Sequence, residues 1–162
     1  KKVFRLGIEK IIVNTILFEQ PQLVRTASKF YGSQSIVASI DVKLVNSKDY
    51  IIFSHNNKNV RMSLNEFIRF VQELGVGEIM LTSVNNEGKW IGYDYKLIEK
   101  VDKLVNIPLI VNGGCGRTED LTKVLAYSGV QAAAIGSMAV YHRKNQGVLI
   151  KFPYREQVFS NE

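Results

Sequence analysis

The feature that most constrains the fold is a repeated pairing of a short apolar run with an amphipathic one. Five runs rich in apolar residues, most of them β-branched, predict strands, and apolar residues at helical spacing follow them. A helix between two strands returns the chain to the same end of the sheet, so the strands should be parallel with right-handed crossovers. The predicted strands are Lys10–Asn14, Ser35–Val42, Glu78–Ser83, Pro108–Asn112 and Gln131–Ile135.

The distribution of apolar residues in these strands is typical of an α/β fold. None of the five shows the clean apolar and polar alternation of a strand with one face in water, so both faces should be covered. A doubly wound sheet and a closed barrel both meet that condition. Polar residues and glycines fall at the C-terminal ends of the strands, where both architectures place their sites.

Local signals predict the connecting elements. Pro21 should lie in the first turn of a helix over Glu19–Phe30, and Ser63 with Glu66 forms the pattern of a capping box. Between these helices, Asp49–Phe53 and Val60–Met62 flank a polar segment and predict an inserted hairpin. The remaining helices are expected over Tyr95 to Leu104, Thr118 to Ala126, and a short stretch from Gly136-Ser137.

Composition excludes several classes of protein. The chain has 162 residues, a net charge of +6 and one cysteine, Cys115, which predicts a single domain without disulfides in a reducing cytoplasm. The basic residues are scattered, which favours a phosphorylated small molecule over nucleic acid. No apolar run approaches the ~18 residues of a membrane span, and the first residues do not resemble a leader. No metal-ligand spacing appears, so neither a metal nor a cofactor is predicted, and His55 and His142 are expected at the surface.

Two glycine-rich strand ends predict phosphate binding. Gly113-Gly114 follows the fourth strand, and Gly136-Ser137 follows the fifth. Glycine leaves backbone N–H groups accessible to an anion, and barrels commonly bind phosphate at the loops after their last two strands. The alternative is that both motifs serve only as sharp turns.

Polar side chains at the other strand ends are the candidate catalytic and binding residues. Asp41 ends a buried strand, with Lys43 two residues later on the same face. A buried carboxylate needs a partner or a raised pKa, so Asp41 is either half of a structural ion pair or a general acid. Loop capping and ligand binding remain open for the other polar strand-end residues, namely Asn14, Thr15, Thr82, Glu87, Gly88 and Asn112.

The order of these motifs resembles that of HisF-type proteins, the cyclase subunits of imidazole glycerol phosphate synthase. The resemblance covers nearly the whole chain and implies one partial (β/α)8 TIM barrel over residues 1–162, containing about the last five strand–helix units of the eight in such a barrel. It is carried by K-I-I-V-N-T at Lys10–Thr15, F-Y-G-S-Q-S-I-V-A-S-I-D-V-K at Phe30–Lys43, G-E-I-M-L-T-S at Gly77–Ser83, G-Y-D at Gly92–Asp94, I-P-L-I-V-N-G-G-C-G at Ile107–Gly116 and A-A-A-I-G-S at Ala132–Ser137.

The resemblance implies a role for each matching residue. Asp41 falls on the general acid of ring closure, and Lys10 and Glu78 fall on charged residues that admit ammonia at the N-terminal mouth of the barrel. The implied partner is a HisH-type glutaminase subunit that supplies this ammonia. The implied substrate is the phosphoribulosyl-formimino-aminoimidazole carboxamide ribonucleotide, which carries two phosphates. Positions implied to bind it are Asn14 and Thr15 for one phosphate, Gly113, Gly114, Gly136 and Ser137 for the other, and Thr82, Glu87, Gly88 and Asn112 between them.

Departures from the family pattern keep alternatives open. The family has about three more strand–helix units before Lys1, so this chain is expected to be a fragment without activity alone. Asn85 and Asn112 stand where aspartate and serine are usual, and Glu87 replaces an aspartate. The segment Gly147–Pro153 resembles paralogues that accompany sugar amidotransferases in surface-polysaccharide synthesis. The alternatives are therefore an ammonia-channelling partner of such an enzyme, or a half-barrel that acts only as an interaction module.

Overall fold

The sheet is wound as in the wall of a barrel. The computed structural model describes residues 3–53, 62–142 and 147–159. Five strands run parallel and lie beside one another in the order of the sequence. A doubly wound sheet would reverse that order at a switch point, so the structure favours the barrel. The parallel strands are β1 (Ile11–Val13), β2 (Ile36–Val45), β4 (Glu78–Ser83), β5 (Leu109–Asn112) and β6 (Ala132–Ala133).

Helices connect the parallel strands. One helix begins at Pro21. Gln20, whose φ of −142° is extended, separates this helix from the short helix before it, so the predicted start at Glu19 was wrong. The capping box is confirmed, since Ser63 Oγ accepts from the Glu66 amide at 3.3 Å while the Ser63 amide donates to Glu66 Oε2 at 2.8 Å. The helices are α1 (Ile16–Glu19), α2 (Pro21–Tyr31), α3 (Leu64–Glu73), α4 (Tyr95–Asp102), α5 (Thr118–Leu125), α6 (Ser137–Val140) and α7 (Arg155–Val158).

The core lies between the helices and one face of the sheet. Ile40 and Leu81 of that face pack with Phe67 and Ile68 of α3 in a single apolar cluster, and all four are at most 2% exposed. Burying each such side chain contributes roughly 1.5–3 kcal/mol to folding. Residues one position along each strand, such as Asp41 and Thr82, therefore face the opposite side, which is the interior side of a barrel wall.

The inserted segment begins with a hairpin that the sequence did not predict. Strand β3 (Asp49–Ile52) pairs antiparallel with β2, which continues past Asp41 to Val45. Asn46 and Ser47 make the turn with φ of 49° and 56°, a conformation that asparagine tolerates better than most residues. Of the predicted partner strand Val60–Met62, Met62 is in no strand and 60 and 61 lie outside the described residues, so that pairing stays a prediction.

None of the helices in the described ranges is long and apolar enough to cross a membrane.

Candidate functional site

Three polar side chains form a row across β2, β4 and β5, level with the C-terminal ends of β4 and β5. Asp41 is paired in register with Thr82, and Thr82 with Asn112. Paired residues of parallel strands place their side chains on the same face, so all three point away from the helices. Asn112 Nδ2 donates a hydrogen bond to Thr82 Oγ1 at 3.2 Å. The structure thus brings these three predicted residues together.

A fourth predicted residue, Asn14, directly follows β1 and contacts this row. Asn14 Nδ2 donates to Asp41 Oδ2 at 3.1 Å, which orients the carboxylate. Thr15 follows directly and precedes α1, half-buried beside Asn14. Lys43 continues β2 beyond Asp41, and its ammonium lies 5.7 Å from the centre of the Phe53 ring. The site residues of the first strand and of β2 therefore meet at one edge of the sheet.

The first glycine loop is shaped by a close approach of backbone to backbone. Gly113 and Gly114 have φ of 96° and 105°, values that side chains disfavour. The carbonyl of Gly114 accepts the Gly92 amide at 2.9 Å, and a Cβ on Gly114 would collide with the Gly92 carbonyl. Sharp geometry, the alternative reading of this motif, therefore accounts for Gly114 independently of any ligand.

The backbone amides of the two glycine loops are available to an anion. Among the described residues, no group accepts a hydrogen bond from the N–H of Gly113, Gly114, Gly136 or Ser137. The next amides differ, because those of Gly116 and Arg117 donate to Asp120 Oδ2 at 3.0 and 3.2 Å. Gly113 and Gly114 are buried, and buried N–H groups are rarely left without an acceptor, so the first loop has backbone donors suited to an anion.

Glu87 lies between the two glycine loops. A Cβ built on Gly113 would be 3.2 Å from Glu87 Oε2, and one on Gly136 would be 3.8 Å from Glu87 Oε1. The Glu87 side chain is exposed, and Gly88 after it makes the turn with a φ of 67°. Tyr93 further along this loop donates its hydroxyl to the Ala134 carbonyl at 2.9 Å, tying the loop to the strand end before Gly136.

Lys10 and Glu78 meet at the other end of the sheet. Lys10 precedes β1 and Glu78 begins β4, and Lys10 Nζ lies 2.5 Å from Glu78 Oε1. Their side chains are 49% and 20% exposed. The strands run from this pair toward the Asp41 row, so the ion pair and the polar row occupy opposite ends of one sheet face.

Sequence reasoning missed what holds the hairpin beside the site. Asn85 Oδ1 accepts the Leu44 amide at 2.6 Å and Asn85 Nδ2 donates to the Leu44 carbonyl at 3.2 Å, so its amide pairs with β2. The Tyr50 hydroxyl donates to Asp94 Oδ1 at 3.0 Å, and burial and the Asp94 carboxylate raise the pKa of Tyr50 to about 12. Asp94 also caps α4, a role that its position before the helix could have indicated.

Replacing Asn85 by alanine should loosen the hairpin. Two backbone groups of Leu44 would lose their partners, which costs about 1–3 kcal/mol in the free energy of unfolding. Urea unfolding of the two proteins would measure the loss. Asn106→Ala, at an exposed position after α4, is the control and should change stability by less than ~0.5 kcal/mol. Equal stability of the Asn85 and Asn106 variants would contradict a structural role for Asn85.

Two further reactive residues, Cys115 and His142, can be placed in the structure. Cys115 is buried with its Sγ 3.4 Å from Met138 Sδ, and burial raises the pKa of its thiol, so it acts as a small apolar filler. His142 lies after α6 and is exposed, as predicted, while His55 lies outside the described residues. In the described ranges, no three histidine, cysteine, aspartate or glutamate side chains cluster as a metal site would require.

Residues 1–146 match the model of a protein family described as "Histidine biosynthesis protein". The chain belongs to this family. Its HisF-type members include a protein of Leptospira borgpetersenii that is 34% identical over 94% of the chain, and one of Pseudomonas aeruginosa that is 36% identical over 94%. Both are provisionally named as HisF subunits of imidazole glycerol phosphate synthase. A protein of Saccharolobus solfataricus named as that subunit without qualification is 38% identical over 80% of the chain.

The family membership confirms the HisF-type resemblance and the barrel. The chain spans about three fifths of the two bacterial relatives, 61% of each, and 51% of the archaeal one. Together with the unreversed parallel sheet, these matches show a partial (β/α)8 barrel. The five parallel strands of the chain correspond to part of the strand set of such a barrel.

Proposed function

We propose that the protein containing this chain is the cyclase subunit of an imidazole glycerol phosphate synthase. It would use ammonia to convert the phosphoribulosyl-formimino-aminoimidazole carboxamide ribonucleotide into imidazole glycerol phosphate and aminoimidazole carboxamide ribonucleotide. The observation that carries the proposal is the row of Asp41, Thr82 and Asn112 on one face of three neighbouring strands. Membership of the histidine biosynthesis family makes this chemistry the first choice.

Asp41 is the proposed general acid of ring closure. The hydrogen bond from Asn14 fixes the direction of its carboxylate, and its place on the inner face of the sheet allows it to reach a substrate in the barrel. Thr82 and Asn112 lie beside it and offer one hydroxyl and one amide to the polar groups of that substrate. A second catalytic carboxylate, which the family supplies from the first strands of the barrel, is expected in the rest of the protein.

Both ends of a bisphosphorylated substrate have candidate binding groups. Asn14 and Thr15 are proposed for one phosphate. The amides of Gly113, Gly114, Gly136 and Ser137 are proposed for the other, supported by the lack of any acceptor for them among the described residues. Preorganised backbone donors bind an anion without first breaking bonds of their own.

Lys10 and Glu78 are the proposed ammonia gate, and a HisH-type glutaminase is the proposed partner at that end of the barrel. The ion pair lies on the same face as Asp41 but at the opposite ends of the strands. Ammonia that enters beside this pair would travel along the inner face of the sheet. The two ends of one face would thus receive ammonia and perform the ring closure.

Replacing Lys10, the cation of the proposed gate, should lower glutamine-dependent activity without changing the stability of the fold. The pair is partly exposed, so Lys10→Met is expected to change the free energy of unfolding by less than ~1 kcal/mol. In the complex with a glutaminase, glutamine-dependent turnover should fall relative to turnover with added ammonium. Lys103→Met removes a similar pair with Glu99 on α4 and is the control. An unchanged ratio of the two activities in Lys10→Met would contradict the gate.

The deciding experiment measures ammonia-dependent loss of the ribonucleotide substrate by the protein at its natural full length. Turnover that yields imidazole glycerol phosphate would support the cyclase. A folded protein that binds phosphate and gives no turnover would contradict it.

A second candidate is an ammonia-channelling partner of a sugar amidotransferase. One observation favours it: the segment after α6 exposes a run of apolar side chains. Val148, Ile150 and Phe152 are each at least 65% exposed, as a surface that contacts a partner would be. Absence of cyclisation together with ammonia delivery to an amidotransferase would favour this candidate.

A further inference from the structure

A cavity separate from the Asp41 row lies beside the first turn of α5. Its volume is about 310 Å³, within the roughly 300–1,000 Å³ that is usual for small-molecule sites. It is lined by Trp90 of the loop after β4, by Arg117 and Thr118 at the start of α5, and by Lys151 after α6. Among the described residues that line it, none is a proposed contact of the ribonucleotide substrate.

Backbone hydrogen bonds hold one wall of this cavity in place. The amide of Leu149 donates to the Val140 carbonyl, and the amide of Lys151 donates to the Ala139 carbonyl, both at 2.9 Å. Leu149 and Lys151 both line the cavity. The chain after α6 is therefore fixed against that helix by its own backbone, and the cavity is formed without a ligand, as most small-molecule sites are.

Trp90 is fixed in an unusual conformation on another side of the cavity. Its φ of 62° is left-handed, which is rare for a bulky side chain. Gly116 packs so closely that a Cβ built on it would be 2.8 Å from the Cβ of Trp90. The Gly92 amide donates to the Gly114 carbonyl at 2.9 Å and ties the two loops together. Strained residues that are held in this way by their surroundings are commonest at functional sites.

Basic side chains are in excess in this cavity. Among the described residues, Arg117, His142 and Lys151 line it together with one acidic residue, Glu119. Arg117 Nε lies 4.0 Å from Glu119 Oε2 and 3.5 Å from Asp120 Oδ1, yet the Arg117 side chain is 69% exposed. Ion pairs between exposed side chains are weak. The guanidinium can therefore bind the carboxylate or phosphate of a ligand through two parallel hydrogen bonds.

The rest of the lining suits a flat ring. Trp90 and Tyr141 offer aromatic faces, and Met138 offers a thioether, which makes favourable contacts with aromatic rings. Backbone groups contribute less, because the amides of Gly116 and Arg117 already donate to Asp120 Oδ2. A ligand would therefore be held by stacking on side chains and by side-chain charge.

We propose that this cavity is a second ligand site, which binds small organic anions that carry an aromatic ring. The ring would lie against Trp90, and the anionic group would lie near Arg117 and Lys151. The inference goes beyond the proposed cyclase, because the cavity is lined by residues other than those assigned to the ribonucleotide and to ring closure.

The test uses three probes of similar size. Benzoate has a ring and a charge, benzamide has the ring alone, and cyclohexanecarboxylate has the charge alone. Each would be titrated into the protein at its natural full length, and dissociation constants would be taken from ligand-observed NMR. Tryptophan fluorescence would locate the site, since Trp90 is the one tryptophan of this chain and Trp90→Phe identifies its part of the signal.

Two lysine variants test the charge. Lys151→Met removes a cation from the cavity, and Lys123→Met removes an exposed cation from the last turn of α5 as the matched control. Benzoate should quench Trp90 and bind about three- to tenfold more tightly than cyclohexanecarboxylate, the usual effect of ring stacking. It should bind about two- to fivefold more tightly than benzamide, as for an exposed ion pair. Lys151→Met should reduce the preference over benzamide, and Lys123→Met should keep it.

Each other outcome would overturn the inference. Equal binding of benzoate and cyclohexanecarboxylate would exclude recognition of a ring, and equal binding of benzoate and benzamide would exclude recognition of an anion. Binding that leaves the fluorescence of Trp90 unchanged, or that is the same in Lys151→Met, would place the ligand elsewhere. Failure of all three probes to bind would remove the site. The cyclase proposal is measured by turnover and stands apart from these results.

Discussion

Asp41→Asn is expected to lower ammonia-dependent turnover of the ribonucleotide substrate by about 10²–10⁴-fold, the usual contribution of a positioned general acid. Asparagine keeps the size of the side chain and can still accept the Asn14 amide proton through its Oδ1. It has no proton of suitable acidity to transfer. The chemistry should therefore be lost while the fold and phosphate binding are retained, and initial rates with saturating ammonium would measure this.

The control for this variant lies on the neighbouring strand. Asp49→Asn removes an exposed carboxylate at the start of β3, away from the Asp41 row, and should leave turnover within about twofold because exposed surface changes are usually small. Retention of more than a tenth of the activity by Asp41→Asn would contradict its role as general acid. Loss of activity in both variants would point to a disturbed hairpin.

Gly114→Ala is expected to lower the free energy of unfolding by about 2–4 kcal/mol, a large effect for one methyl group. The φ of 105° is strained for alanine, and the added Cβ would collide with the backbone carbonyl of Gly92 and crowd Asn86. Neither neighbour can move freely, because the Gly92 carbonyl accepts the Asn86 side chain amide at 2.9 Å. Urea unfolding with circular dichroism would measure the difference.

The same substitution at Gly147 separates strain from a general cost of replacing glycine. Among the described residues, no heavy atom lies within 4 Å of a Cβ built on Gly147, so Gly147→Ala should be neutral or slightly stabilising. If Gly114→Ala unfolds at the same urea concentration as Gly147→Ala, the loop relaxes, and close packing against Gly92 does not explain the glycine.

Most of the elements could be predicted from the sequence because their causes are local. The strand β4 was predicted residue for residue, since its apolar run ends abruptly at both sides. Ser63 and Glu66 form their capping box within one helical turn. The family resemblance, now confirmed, also predicted that Asp41 and the two glycine loops belong to one end of one sheet.

The sequence could not show which contacts form between segments that lie far apart in the chain. Asn85 was noted only as a departure from the family pattern, and nothing near it in sequence indicates that its amide pairs with Leu44, which is 41 residues away. The Tyr50 hydroxyl donates to Asp94, 44 residues away, and the antiparallel pairing of β3 with β2 was not predicted either. Such contacts depend on where the chain returns in space, which periodicity and capping rules do not encode.

The sequence by itself therefore determined the parallel strand–helix order, the polar strand ends and the glycine turns, because each follows from the conformational preferences of adjacent residues. Only the tertiary structure decided that Asp41, Thr82 and Asn112 share one register, that Asn85 holds β2, and that Glu87 faces both glycine loops. The physical reason is that register, side-chain pairing and the position of a charge are set by packing between segments far apart in the chain.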